Sequence, residues 1–118
     1  MICQKILGQK WHKFWRNFFS KPYLAKYQEA IKYNQQSLAI FKEIGDGHGE
    51  ACSYKNLGNA YYFLGQYEQA REYYQQSLAI FKEIGDKPGE AKALFNVDLC
   101  FKKVQWKDEA KESFHNAR

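Results

Sequence analysis

Twelve consecutive residues, Gln35 to Asp46, return letter for letter as Gln75 to Asp86, an offset of 40 positions. Extended outward, 18 of the 25 positions in 27–51 match those in 67–91. A copy at a fixed period of this length means one supersecondary unit stacked on the next. Such units hide their apolar faces only against one another. The feature points to an array whose working part is surface, and away from a buried catalytic pocket.

Inside the repeat the apolar spacing is helical. Ala51, Tyr54, Leu57, Tyr61 and Leu64 fall on one helix face, as do Tyr67, Ala70, Tyr74, Ser77 or Leu78, Phe81 and Ile84. Gly65 separates these two runs, and Gly45 and Gly85 end the longer ones, where a residue free to take positive φ stops a helix. Asp46 and Asp86 follow as N-cap residues, and Pro88 falls in the next first turn, where its missing N–H costs nothing. The pattern predicts six helices in three antiparallel pairs: 3–19 with 23–44, 48–64 with 67–84, and 89–103 with 107–117.

Composition agrees with an all-α chain. Aromatic residues make up 18% of the 118 and only two are proline, and no alternating Val/Ile/Thr runs mark strands. Three cysteines, Cys3, Cys52 and Cys100, are odd in number and widely spaced, which fits apolar thiols in a reducing compartment. His12, His48 and His115 have no histidine or cysteine at ligand spacing, so neither a metal nor a cofactor is expected. The net charge of +5 is uneven: residues 1–26 hold six basic residues and no acid, and the body is close to neutral. A nucleic-acid binder would carry a basic stripe along the body, so no nucleic acid is expected. With no long apolar run and no secretory signal pattern, the chain reads as soluble and cytoplasmic.

Tyr54, Leu57-Gly58, Tyr61, Gly65-Gln66-Tyr67, Ala70, Tyr74 and Ser77 follow, in register, the helix-turn-helix signature of a tetratricopeptide repeat, and the chain resembles that family. The 40-residue period is similar to the long-unit subtype of kinesin light chains and of the Leu-Gly-Asn-rich regulators of G-protein signalling. The resemblance implies an α-solenoid, a right-handed superhelix of about three antiparallel helix pairs, in one domain over 1–118. A degenerate basic, aromatic first helix occupies 1–22 and the second helix of the first unit 23–50. A complete unit spans 51–90 and a divergent capping unit 91–118. Small residues at Gly58 and Ala70 are expected where the two helices of a pair come closest. The third unit departs from the pattern: Asp98 stands at the close-contact glycine and Gln105 at the turn glycine. Asp98 is therefore expected in a loose pair or in contact with solvent. The last segment keeps only Ala110, Phe114 and Ala117 apolar, which favours a terminal cap over the alternative of an array that continues.

No GxSxG, phosphate-cradling glycine loop or HExxH is present, and the carboxylates sit among lysines on helix surfaces, so the chain is expected not to be an enzyme. The resemblance implies instead a non-enzymatic scaffold that binds a peptide or helix of a partner protein in a concave groove lined by the first helices of successive pairs. In this register the groove residues are Lys55, Asn59, Tyr62, Phe63, Lys92, Phe95, Asn96 and Leu99. Cys52, Lys102 and Lys103 extend the set, and His12, Trp15 and Phe19 would come from the first helix. Lys55, Asn59 and Asn96 match part of the pattern by which some tetratricopeptide domains clamp the C-terminal carboxylate of a chaperone. The full clamp needs two further basic residues on a following pair.

A second reading rests on Leu7, Trp11, Phe14, Trp15, Phe18 and Phe19, an aromatic stripe backed by Lys5, Lys10, Lys13 and Arg16. Such a helix can lie on an anionic membrane, making the chain a peripheral membrane adaptor. It can equally bury its stripe against 23–44, covering Tyr27, Tyr33 and Leu38. Leftover aromatic surface would also permit self-association.

Overall fold

The computed structural model describes residues 22–116, with side chains over 23–112. Four α-helices make up this part: α1 Pro22–Ile44, α2 Gly47–Phe63, α3 Tyr67–Ile84 and α4 Lys87–Asn116. No strand occurs among the described residues, and each helix packs chiefly on its neighbours in sequence. This is the stacked helical-hairpin solenoid that the repeat predicts. The first expected helix, 3–19, and the membrane and core readings attached to it lie outside the described residues.

The turns explain where helices stop. Gly45, Gly65 and Gly85 have φ of 75°, 78° and 76°, in the left-handed region that a side chain would strain. Each closes its helix with the same pair of backbone bonds. Asp46 N–H reaches Phe41 C=O at 3.0 Å, Gln66 N–H reaches Tyr61 C=O at 2.9 Å, and Asp86 N–H reaches Phe81 C=O at 2.9 Å. The carboxylates of Asp46 and Asp86 then accept from the N–H groups of Gly49 and Gly89, both at 3.1 Å, capping α2 and α4. The two twelve-residue copies thus share one conformation and end in one turn.

The third expected hairpin is not formed. Residues 89–103 and 107–117 were predicted as separate helices, but α4 runs unbroken for 30 residues through 104–106. Position 105 holds Gln where the complete unit has Gly65, so no residue there takes the left-handed conformation cheaply. Val104, Gln105, Trp106 and Lys107 continue the helix. Asp98, in the place of Gly58, is exposed and pairs with Lys102 at 3.1 Å, the solvent-facing outcome anticipated for it.

The core lies where α3 meets both its neighbours. Ala51, Phe81 and Ala93 join α2, α3 and α4 in one cluster, and Ala70, Tyr74 and Cys100 join α3 to α4 in another. Burial of a side chain the size of Phe81 stabilises by about 1.5–3 kcal/mol. The small residues serve aromatic rings more than a helix–helix contact between themselves. Gly58 receives the ring of Tyr74, Gly49 that of Phe41 and Gly89 that of Phe81. Ala70 is fully buried in the cluster it forms with Tyr74 and Cys100. Ser77 is also fully buried, and its hydroxyl has no hydrogen-bond partner among the described residues.

Candidate ligand-binding surface

Lys55 and Asn59 lie one turn apart on α2, and Lys92, Phe95 and Asn96 lie on the first half of α4. Together with Ala91 they line a single open depression of about 410 Å³. Five of the eight residues expected to form a groove are therefore brought together. Phe95 is 66% exposed, Lys92 is exposed, and Lys55, Asn59 and Asn96 are half-buried. Among the described residues neither lysine has a carboxylate partner, so the depression presents ammonium groups, amides and one bare aromatic ring.

The other three expected residues are placed differently. Tyr62 packs against the Ala70–Tyr74–Cys100 cluster and supports the core. Phe63 stacks on Tyr27 of α1, with ring centroids 5.4 Å apart, and stays 54% exposed. Leu99 is half-buried further along α4. Cys52 lines a separate depression against α1. Lys102 is held by Asp98, and Lys103 sits over the ring of Trp106 at 5.3 Å. His12, Trp15 and Phe19 lie outside the described residues.

One determinant of this surface escapes the sequence pattern. Tyr74, a core residue on α3, donates its hydroxyl hydrogen bond to Asn59 Oδ1. Burial pushes the Tyr74 hydroxyl pKa well above its ordinary value, so it remains a proton donor across the physiological range. That bond fixes the orientation of the Asn59 amide at the wall of the depression. The aromatic position of Tyr74 is legible from helical spacing, but its hydroxyl's partner is 15 residues away in the chain.

Two other depressions are of similar size, so residue chemistry distinguishes them. The one lined by Gly65, Gln66, Tyr67 and Glu68 with Val104, Lys107, Asp108 and Lys111, about 440 Å³, mixes both charge signs. In the one between α1 and α2, Cys52 Sγ lies 3.9 Å from His48 Nδ1, and His48 Nε2 lies 3.7 Å from Asp86 Oδ2. That order imitates a nucleophile, base and carboxylate. Both gaps exceed the roughly 2.6–3.2 Å needed for proton transfer, and the other Asp86 oxygen caps Gly89. The contacts tie the α3–α4 turn to the start of α2. Among the described residues no cluster of His, Cys, Asp or Glu could hold a metal ion, and no helix is long and apolar enough to cross a membrane.

Residues 23–83 match the family described as tetratricopeptide repeat. Among solved structures, the solution NMR structure of the designed protein DA05 superposes with a TM-score of 0.64 at 20% identity, covering 67% of this chain and 79% of that one. At that identity the likeness concerns the fold. No curated protein sequence matches the chain.

Proposed function

The chain belongs to the tetratricopeptide repeat family, whose members generally mediate protein–protein interactions, and from that premise we propose that it is a non-enzymatic scaffold. Its ligand is a peptide or helix of another protein, held in the depression between α2 and α4. The 40-residue unit supports a likeness to the long-unit subtype seen in kinesin light chains. The observation that carries the proposal is the convergence of Lys55, Asn59, Lys92, Phe95 and Asn96 on one solvent-open depression. An exposed aromatic ring flanked by unpaired donors is a poor arrangement for an idle surface and a good one for a peptide. The ring takes an apolar side chain, and the ammonium and amide groups take backbone carbonyls or carboxylates.

The test is a calorimetric titration of acidic peptides, with free and with amidated C-termini, against the wild type, Lys55→Glu, Asn59→Ala and Phe95→Ala. Binding that weakens with each substitution supports the depression as the site. A preference for the free C-terminus would add the carboxylate clamp. Equal affinity in all four proteins, or binding in none, refutes the reading.

A further inference from the structure

Because α4 does not turn back at Gln105, its depression-facing side continues past the point where a complete unit ends. Phe95, Leu99, Lys102 and Trp106 follow one another at i, i+4, i+7 and i+11, a single helix face. The rise of an α-helix separates Phe95 from Trp106 by about 16 Å. Phe95 and Trp106 are each 66% exposed, and Lys103 lies over the Trp106 ring. Of the acids of α4, Glu90, Asp98, Asp108 and Glu112 fall to one side of this face by the same helical count, and Glu109, three residues after Trp106, falls at its edge. Lys102 turns toward Asp98, which leaves Lys55, Lys92 and Lys103 without a carboxylate partner among the described residues.

We propose that this aromatic–lysine stripe, running from the α2–α4 depression to Trp106, is a docking surface for an acidic amphipathic segment of a partner protein. The inference rests on the scaffold reading above and specifies its ligand. Two exposed rings about three helical turns apart accept two apolar anchors of similar spacing. Lys55, Lys92 and Lys103 beside them outnumber the one carboxylate at the edge of the face, that of Glu109, and so select carboxylates around those anchors and disfavour a basic segment. A flat anionic membrane would meet Trp106 and the lysines, but it would leave the half-buried Asn59 and Asn96 without partners, so a peptide accounts for more of the surface.

The experiment selects 20-residue peptides from a random displayed library against the intact chain. Enriched peptides are then titrated against wild type, Phe95→Ala and Trp106→Ala. Both rings are exposed, and unchanged far-UV circular dichroism confirms that the variants fold. Enriched peptides should carry excess Asp and Glu around two apolar residues, and each substitution should weaken them by about tenfold or more. Loss on Phe95→Ala without loss on Trp106→Ala would remove the stripe while leaving the depression as the site. Peptides without excess acid, or no enrichment, would also overturn the proposal. Sedimentation with phosphatidylserine vesicles, abolished by Trp106→Ala in the absence of peptide binding, would assign the stripe to a membrane and overturn it as well.

Discussion

Gly58→Ala tests whether the packing of the complete hairpin is understood. A Cβ at position 58 would lie 2.7 Å from both Cδ1 and Cε1 of Tyr74 and 3.0 Å from Cζ. The ring has nowhere to retreat: Tyr74 is 3% exposed, Ala70 and Cys100 pack against it, and its hydroxyl is tied to Asn59. Overpacking of this kind costs about 1–3 kcal/mol, and the better helix propensity of alanine returns up to about 1 kcal/mol. The net loss is then about 1–2 kcal/mol, and each kcal/mol lowers Tm by about 4–8 °C in a domain of this size. Gly65→Ala serves as a contrast, since a Cβ there meets open space but φ is +78°. Its cost, about 1–2 kcal/mol, is backbone strain alone. Urea unfolding followed by circular dichroism measures both, and Tyr74→Leu separates their causes. Gly58→Ala with Tyr74→Leu should cost less than the sum of the single changes, whereas Gly65→Ala with Tyr74→Leu should be additive. Full stability in Gly58→Ala, or additivity at both positions, would refute the ring-on-glycine account.

Tyr74→Phe keeps the ring and removes the bond to Asn59, so a stability loss of about 0.5–1.5 kcal/mol is expected, with weaker binding of any peptide that uses the Asn59 amide; unchanged affinity would detach the hydroxyl from the site. Ser77→Ala should stabilise by about 1 kcal/mol, because a buried hydroxyl without a partner disappears, whereas Ser37→Ala at the half-buried copy should stay within about 0.5 kcal/mol in urea titrations. Burial raises the Cys100 thiol pKa from 9.0 to about 11, so the native state holds its proton longer than the unfolded chain. That contribution is intact below pH 9 and is lost as pH rises toward about 11. Urea midpoints measured across this window should fall, and Cys100→Ala should flatten the decline.

Much of the architecture is legible from residues alone, because the turns depend on local chemistry. A glycine at positive φ followed by an aspartate cap needs no distant partner, and α3 begins and ends where helical spacing and Gly85 place it. The error at α4 has the same origin. Family register suggested a turn at 104–106, but without a glycine at 105 nothing in the local chemistry makes one. The candidate site was legible in part. Lys55, Asn59, Lys92, Phe95 and Asn96 share the helix faces that the register assigned to them. Tyr62 and Phe63 lie on that side of the helical count too, but a neighbouring core cluster engages Tyr62 and the Tyr27 ring engages Phe63. Helical period alone cannot see either neighbour.

The duplicated segment shows where the two levels of information divide. Its twelve residues by themselves determine a helix, a left-handed glycine and an aspartate cap, and they do so identically at 35–46 and at 75–86. Burial follows no such rule. Phe81 and Ser77 are almost wholly enclosed, while Phe41 and Ser37 are only half-buried. The letters are the same, but α3 is sandwiched between α2 and α4, whereas among the described residues α1 packs chiefly on α2. Desolvation depends on how many neighbours press on a side chain, and only the tertiary arrangement supplies that number. The same arrangement joins Tyr74 to Asn59 and opens the depression between α2 and α4.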